Sequence, residues 1–385
     1  MRRFTDEQLT CIECGTEFIF SVGEQQFYSA KKLSLPKRCK ACRDQRKQTH
    51  QEEKRIRNEH LYEEILKGYT VHQISDIQLS NPLYIIGNGF DLMHGVPSSY
   101  SNFKQSLGKH SDLRQELEIY LNSESIWSDF EEALGHLNYS MMMNADVIDM
   151  MLDDYGAYDP DAQAADFYAA VDSITTPAVS ITDGIERRFR KWIDSLDCDT
   201  NSRPLQGLFI QGKVLCFNYT EFIEELYDVP NESICYIHGC RRKIKGKPKE
   251  KLILGHLPGV ENEEWEKVNV EPPRYKDPYK HYIFEAAADT AARNLIWYDE
   301  ETTKKCSEII KRHQAFFDEL SDIKEVVVIG HSLSRVDWDY FEEIINKSDV
   351  QRWFFSCHSL EGLRSIETFI AHFGIAKKDI TVFKT

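Results

Sequence analysis

The sequence lacks the features of membrane and secreted proteins. None of its apolar runs approaches the roughly 20 residues that a helix needs to cross a bilayer. The N-terminal segment MRRFTDEQLTC contains two arginines but no apolar stretch, so it does not have the form of a secretory signal. The 10 cysteines comprise two C-x-x-C pairs and six scattered positions, which is not the distribution of a disulfide scaffold. We therefore expect a cytoplasmic protein without a membrane partner.

An excess of positive charge is also lacking. The 385 residues include 63 acidic and 47 basic side chains, and the net charge of −16 disfavours indiscriminate binding of the whole molecule to nucleic acid. With 41% hydrophobic residues, a chain of this length predicts a sizeable core and more than one folded unit. A local exception is a basic cluster that consists of Lys37, Arg38, Lys40, Arg43, Arg46 and Lys47. This cluster is either a solvated face or a contact for nucleic acid or an acidic partner.

Two C-x-x-C pairs, Cys11 with Cys14 and Cys39 with Cys42, are separated by 24 residues near the N-terminus. Each pair presents two thiolates to one ion, so the pairs together predict a tetrahedral site for a structural Zn²⁺ with no open position for catalysis. A redox dithiol is the alternative, but it requires only one such pair, near a βαβ unit. The segment also resembles a small bacterial zinc-ribbon family, through the motifs C-x-x-C-G, Phe-x-Phe, Gly-Glu-Gln and Arg-Cys-x-x-Cys-Arg.

Short apolar runs recur after position 80 and are separated by helical stretches. Continuous apolar runs of this kind are typical of a parallel sheet that is covered on both faces. They predict an α/β fold with a Rossmann-like, mostly parallel sheet and helices on both of its faces. The predicted strands are 83–86, 214–217, 234–237, 252–254, 326–329, 353–355 and 380–383.

The same patterns predict three segments. Residues 1–50 are expected to form the zinc ribbon, and residues 51–80 a helical connector that is rich in Glu, Lys and Arg. Residues 81–385 are expected to form the α/β domain. Within it, residues from about 105 to 208 show little strand character and apolar residues at helical spacing, which predicts a helical insertion.

Four of the predicted strands end in polar residues that are suited to chemistry. Ligands of such sheets bind beyond the carboxyl ends of the strands, so we expect these residues to lie in one crevice. The first strand ends in GNGFD, which is either a phosphate-facing glycine turn or an ordinary strand-to-helix turn. The candidate residues are Gly87, Asn88, Gly89, Phe90, Asp91 and His94, then Asn218 and Tyr219, then His238, and finally Gly330, Ser332 and Asp337. His331 also follows the last of these strands.

Taken together, these motifs resemble the bacteriophage abortive-infection AbiH family and, more distantly, sirtuin-like NAD-consuming domains. The matching segments are IIGNGFDLMHGVPSSYSNF, WSDFEEAL, CFNYTEFIEELY, YIHG and IGHSLSRVDWDYF. The resemblance implies that Asn218 positions the attacking water or the nicotinamide ribose and that His238 is a general base. It also implies that the other candidates bind the dinucleotide, with Ser332 and Asp337 at its adenosine half.

The function that the resemblance implies is that of an effector which a phage-derived trigger switches on and which then hydrolyses NAD with release of nicotinamide. An amide orients a ligand without ionising, and a histidine titrates near neutrality, so Asn218 and His238 suit these roles. One alternative is a nucleotide-binding sensor without turnover. Another is a serine hydrolase in which Ser332 is the nucleophile of a strand-to-helix turn. We expect the protein to form a homo-oligomer.

Overall fold

The chain forms two compact units. The computed structural model describes residues 5–30, 33–121, 126–127, 129–199, 205, 210–242, 249–257 and 270–384. The smaller unit comprises Met1–Gly68 with Ser359–Leu363, and the larger unit comprises Tyr69–His358 with Arg364–Thr385. None of the helices in these described ranges is both long enough and apolar enough to cross a membrane.

The smaller unit contains a hairpin and two helices. Strands β1 (Glu7–Thr10) and β2 (Glu17–Phe20) pair antiparallel, and helices α1 (Val22–Ala30) and α2 (Lys40–Leu66) follow. The predicted connector helix is the second part of α2, a helix of 27 residues that begins in the cysteine-containing segment. Its exposed face has ion pairs at helical spacing, since Arg55 contacts both Glu52 and Glu59.

The larger unit is built on a sheet of seven strands, all of which pair in parallel in the described part of the chain. The strands are β3 (Thr70–Gln73), β4 (Leu83–Ile86), β5 (Lys213–Cys216), β6 (Ile234–Tyr236), β7 (Glu325–Ile329), β8 (Arg352–Ser356) and β9 (Ile380–Lys384). All residues of the central strands β4 and β7 are buried, as expected for a parallel sheet with both faces covered. The predicted α/β fold with a mostly parallel sheet is confirmed.

The spatial order of the strands is β3-β9-β8-β7-β4-β5-β6. Counted from β4, the first three strands run outwards to one edge, and the chain then returns to β7 on the other side of β4. This is the Rossmann order, with β3 added beyond β9. The order reverses between β4 and β7, and in such sheets the crevice for a ligand lies at that point.

Two details of the sheet differ from the prediction. Residues 252–254 do not form a strand, because the Ile253 amide donates instead to the carbonyl oxygen of His238, at 2.9 Å. Strand β3 lies within the predicted connector, and its residues TVHQ are all exposed, so it has no apolar run that would reveal it. It pairs with β9 at the edge of the sheet.

Helices separate most of the strands. They are α3 (Asn88–Met93), α4 (Tyr100–Leu107), α5 (Asp112–Tyr120), α6 (Phe130–Leu134), α7 (Tyr139–Met142), α8 (Ala145–Asp154), α9 (Ala164–Ile193), α10 (Phe222–Tyr227), α11 (Pro278–Thr302), α12 (Cys306–Arg312), α13 (Gln314–Asp318), α14 (Trp338–Lys347) and α15 (Leu360–Phe373). Helices α3 to α9 all lie between β4 and β5, and α9 packs against α5, α8 and α11. Within its described residues, the stretch that was predicted as a helical insertion is therefore mainly helical.

Candidate functional site

The four cysteines of the smaller unit form a metal centre. Cys11 and Cys14 lie in the turn between β1 and β2, whereas Cys39 precedes α2 and Cys42 lies in its first turn. Their sulfur atoms all lie within 4.8 Å of one another, and the sulfurs of Cys14 and Cys39 are 3.8 Å apart. Tetrahedral Zn–S bonds of about 2.3 Å place sulfurs ~3.8 Å apart. The geometry and the four thiols therefore fit a structural zinc ion.

In the larger unit, the loop after β4 packs directly against the loop after β7. The Gly87 and Gly89 amides donate to the carbonyl oxygens of Ile329 and Gly330, at 3.0 and 2.7 Å. A Cβ on Gly330 would lie 2.2 Å from the Phe90 nitrogen, so side chains there would separate the loops. The glycines of GNGFD thus permit close approach of two backbone segments, and the amides of Gly87 and Gly89 are already engaged.

Asp91 connects this loop to the loop after β5. Its two carboxylate oxygens accept hydrogen bonds from the Asn218 amide, at 2.7 Å, and the Thr220 hydroxyl, at 2.6 Å. Burial raises the pKa of Asp91 to about 7, although these two hydrogen bonds oppose the shift. The side-chain oxygen of Asn218, Oδ1, is buried and has no hydrogen-bond partner within the described chain.

The other predicted residues of the GNGFD segment serve packing. Phe90 is fully buried, and its ring lies 4.4 Å from that of His94. The two ring nitrogens of His94 contact the Phe90 carbonyl oxygen at 2.7 Å and the Tyr227 hydroxyl at 2.8 Å. Asn88 donates through its side chain to the Ser98 carbonyl oxygen. In these positions Phe90, Asn88 and His94 hold the loop together.

A second cluster is centred on Asp337, which precedes α14. One of its carboxylate oxygens lies 3.1 Å from the Lys304 ammonium and 3.6 Å from His238 Nε2. The other oxygen lies 3.4 Å from His331 Nε2. Lys304 also contacts both carboxylate oxygens of Glu131, at 3.1 and 3.2 Å. The side chains of these five residues are nearly or fully buried, with that of Glu131 the most exposed, at 14%.

Elements that are distant in the chain bring these charges together. Glu131 lies in α6, and Lys304 lies just beyond α11, where its backbone amide donates to His256. Burial alone would raise the pKa of Asp337, but Lys304 and the hydrogen bond with His331 hold it well below its ordinary value. For Glu131, burial outweighs the attraction of Lys304 and raises the pKa to about 7. The cluster therefore holds one firmly ionised carboxylate and a second that titrates near neutrality.

The two histidines of this cluster differ in how their ring nitrogens are bonded. Burial, followed by the charge of Lys304, lowers the pKa of His238 well below its ordinary value. Its Nε2 atom is buried and makes no hydrogen bond within the described chain. His331 Nδ1 accepts the Leu333 amide at 2.9 Å, so its proton is on Nε2, which faces Asp337.

Aromatic rings surround the histidines. The Phe217 ring centroid lies 4.3 Å from that of His331 and 5.2 Å from that of His238. Tyr219 stacks on His238 at 6.3 Å, and Tyr340 lies 5.5 Å from it. The Tyr219 hydroxyl donates to the Ile253 carbonyl oxygen, so the irregular segment that replaced the predicted strand is fastened beside the cluster.

The predicted residues thus fall into two groups. His238 and Asp337 lie together, near Gly330. Asn218 is instead hydrogen-bonded to Asp91, and none of the described contacts joins it to His238. Ser332 is exposed, and its hydroxyl accepts the Ser334 amide at 3.4 Å. No described hydrogen bond joins it to a histidine.

Two members of the buried cluster, Glu131 and Lys304, were missed by the sequence predictions. Glu131 lies in the segment WSDFEEAL, but a chain with 63 acidic residues gives no reason to select it. Lys304 lies in ETTKK and has no sequence feature that distinguishes it from an exposed lysine. His331 was noted because it follows a predicted strand within GHS, but the sequence predictions gave it no role.

Comparison with known proteins gives two family matches. Residues 83–357 match the family model described as "Bacteriophage abortive infection AbiH". Residues 5–51 match the model described as "Probable treble clef domain". Curated proteins and solved structures give no match. The first match includes both polar clusters of the larger unit, and the second includes all four cysteines.

Proposed function

We propose that this chain, which belongs to the bacteriophage abortive-infection AbiH family, is an infection-activated effector that hydrolyses NAD at the cluster around Asp337. The reaction replaces the N-glycosidic bond to nicotinamide with a bond to a water oxygen. Its products are ADP-ribose, nicotinamide and a proton. The zinc centre is structural and takes no part in this reaction, because four thiolates complete its coordination.

The observation that carries the proposal is the unpartnered Nε2 atom of His238. This atom is buried beyond the carboxyl end of β6, the edge strand that is separated from β4 by β5. It therefore lies at the edge of the sheet where ligands of such folds bind. A buried polar atom without a hydrogen-bond partner costs free energy. Such atoms are uncommon unless a ligand or a water molecule forms the missing hydrogen bond. The low pKa of His238 keeps the imidazole neutral near pH 7, so it is able to accept a proton.

The neighbouring groups suit such a base. Asp337 lies 3.6 Å from His238 Nε2 and is ionised, so it would stabilise the imidazolium that forms when His238 takes the proton of the attacking water. Lys304 contacts one carboxylate oxygen of Asp337 and His331 contacts the other, so together they fix the orientation of the carboxylate. Phe217 and Tyr219 limit access of bulk water to the imidazole. Asn218 is assigned a positioning role, since its amide is fixed by Asp91.

The test is a measurement of nicotinamide release from NAD by chromatography. His238→Gln removes the base, and we expect a loss of about 100-fold or more in rate, the size of a general-base contribution. His110→Gln is the matched control, because His110 is exposed in the loop before α5. Cells that carry either variant are then infected with phage, and their NAD is measured.

Two results would overturn the proposal. The first is protection of infected cells without any fall in NAD, and the second is equal nicotinamide release by the His238→Gln variant. Tight binding of NAD without products would favour the sensor alternative. Labelling by a fluorophosphonate probe that is lost in Ser332→Ala would favour the hydrolase alternative.

We also propose that the smaller unit contacts nucleic acid or an acidic partner. Glu13 pairs with Arg38 and Arg46, and Glu24 pairs with Arg43, so these arginines are partly neutralised within the unit. The lysines of the basic cluster form no ion pair with described residues, which leaves their charge available; they are Lys37, Lys40 and Lys47. Assembly into a homo-oligomer stays a prediction.

A further inference from the structure

The buried cluster around Asp337 contains more negative than positive charge. Asp337 and Glu131 both face the single ammonium of Lys304. His238 is neutral, and His331 presents an N–H group but no charge while its Nδ1 accepts the Leu333 amide. Above about pH 7, where Glu131 as well as Asp337 is ionised, the five side chains have a net charge of −1. A group that enters beside them is therefore attracted if it is positive and repelled if it is negative.

The cluster also lacks what a phosphate group requires. Lys304 is the only lysine or arginine among the buried residues of the described chain, and both carboxylates already bind it. Arg241, which lies beyond the end of β6, donates to Glu221 and to backbone carbonyl oxygens. The amides of Gly87 and Gly89 donate to the carbonyl oxygens of Ile329 and Gly330. Among the described residues, Lys304, Arg241 and the amides of Gly87 and Gly89 are therefore already engaged and are not free to bind a phosphate.

Aromatic side chains complete its surroundings. Phe217, Tyr219 and Tyr340 lie within 6.3 Å of the His238 ring, measured between centroids. Aromatic faces attract organic cations through the ring quadrupole, and carboxylates nearby strengthen this attraction. Aromatic rings with an excess of carboxylate oxygen are the combination that binds organic cations.

We infer that the cluster around Asp337 binds a positively charged nitrogen-containing aromatic ring, and that Glu131 provides much of the selectivity for its charge. The inference rests on the proposed function, in which that ring is the nicotinamide of oxidised NAD. In this arrangement the nicotinamide ring of NAD lies at the cluster, and the two phosphates of NAD lie away from it. The site then discriminates between oxidised NAD and its reduced form, whose nicotinamide ring is neutral.

Wild-type protein alone provides the first test. Calorimetry at about pH 8, where Glu131 is ionised, would compare 1-methylnicotinamide, which is cationic, with nicotinamide, which is neutral and of nearly the same shape. We expect the cation to bind at least about tenfold more tightly, a ratio that a modest Coulomb attraction at the edge of a protein interior supplies. Oxidised NAD should exceed reduced NAD in affinity by a similar ratio. Equal affinities within both pairs would overturn the inference.

The second test removes the charge of Glu131. Glu131→Gln keeps the shape of the side chain, and we expect the preference for the cation to fall about tenfold. Glu132→Gln, at the adjacent exposed position, is the control and should keep the preference. An unchanged ratio in Glu131→Gln would contradict the role of Glu131.

These tests separate the inference from the proposed function. Preference for the cation without nicotinamide release from NAD would support the inference and contradict hydrolysis. Nicotinamide release without any preference would support hydrolysis and contradict the inference. Because the first comparison uses wild-type protein, a folding defect in Glu131→Gln does not affect it.

Discussion

At the scale of single residues, two buried aspartates show how the charge of a partner decides ionisation. Asp337 contacts the Lys304 ammonium, and its pKa lies well below the ordinary value despite burial. Asp91 is equally buried but is bonded only by neutral donors, the Asn218 amide and the Thr220 hydroxyl, and its pKa rises to about 7. At Asp91, two neutral hydrogen bonds therefore do not offset the effect of desolvation on the pKa. At Asp337, the Lys304 ammonium and the hydrogen bond with His331 together do offset it.

This difference predicts how stability depends on pH. The folded-state pKa of Asp91 is raised above its unfolded value of about 3.9, so the folded protein holds a proton that the unfolded chain releases. Stability from this group is complete below about pH 4 and is lost as the pH rises through about 7. The asparagine in Asp91→Asn cannot ionise, so the variant does not lose this stability. As the pH rises from about 4 to about 7, its unfolding free energy should therefore increase by up to about 4 kcal/mol relative to that of wild type.

Urea unfolding followed by tryptophan fluorescence, from pH 4 to pH 8, measures this effect. Glu131 also titrates near pH 7, but it is present in both proteins, so the difference between them isolates Asp91. Asp153→Asn, at an exposed position near the end of α8, should give a curve parallel to wild type. A parallel curve for Asp91→Asn would contradict the raised pKa.

At the scale of elements, the contact between the loops after β4 and β7 requires glycine. Gly330 has φ +65°, and a Cβ there would lie 2.2 Å from the Phe90 nitrogen, a backbone atom that cannot move aside alone. Gly374 has a nearly identical φ of +66°, but a Cβ there would meet no atom within 4 Å. The two positions therefore separate the cost of the backbone conformation from that of the loop contact.

We expect Gly374→Ala to lose about 1–2 kcal/mol of unfolding free energy, the cost of a left-handed conformation for a residue with a Cβ. Gly330→Ala should lose at least about 2 kcal/mol more, because the loops must also separate. Thermal unfolding of the two variants measures the difference. Similar losses in both variants would show that the loop contact is not tight in solution.

At the scale of the whole molecule, the two units depend on different sources of stability. The larger unit has an extensive apolar core across its sheet and helices, whereas the smaller unit depends on its four cysteines. A short segment with few buried apolar residues obtains much of its folding free energy from the metal. Loss of a thiolate should therefore unfold the smaller unit without unfolding the larger one.

We expect one zinc ion per chain in wild type and almost none in Cys42→Ser, as measured by plasma mass spectrometry. All six tryptophans lie beyond residue 100, so their emission should report an intact larger unit in the variant. Cys198→Ser, which alters a cysteine outside the metal cluster, should retain the zinc. Full zinc content in Cys42→Ser would contradict the four-thiolate site.

The sequence by itself determined the features that depend on local pattern. Continuous apolar runs identified six of the strands of the sheet, because fully buried parallel strands require them. The spacing of Cys11, Cys14, Cys39 and Cys42 identified the metal centre, because two C-x-x-C pairs complete one tetrahedron. The motifs at the strand ends identified the family.

Only the tertiary structure decided which polar residues meet. The order of the strands places the loops after β4 and β7 side by side, and so the glycines of GNGFD contact a loop that lies far away in the sequence. Glu131 lies in α6 and Lys304 in the connection between α11 and α12, and packing of these elements buries both side chains against Asp337. A charge is tolerated there only with its partner, and the partner is 173 residues away in the chain. A pattern of neighbouring residues in the sequence therefore cannot reveal such a pair.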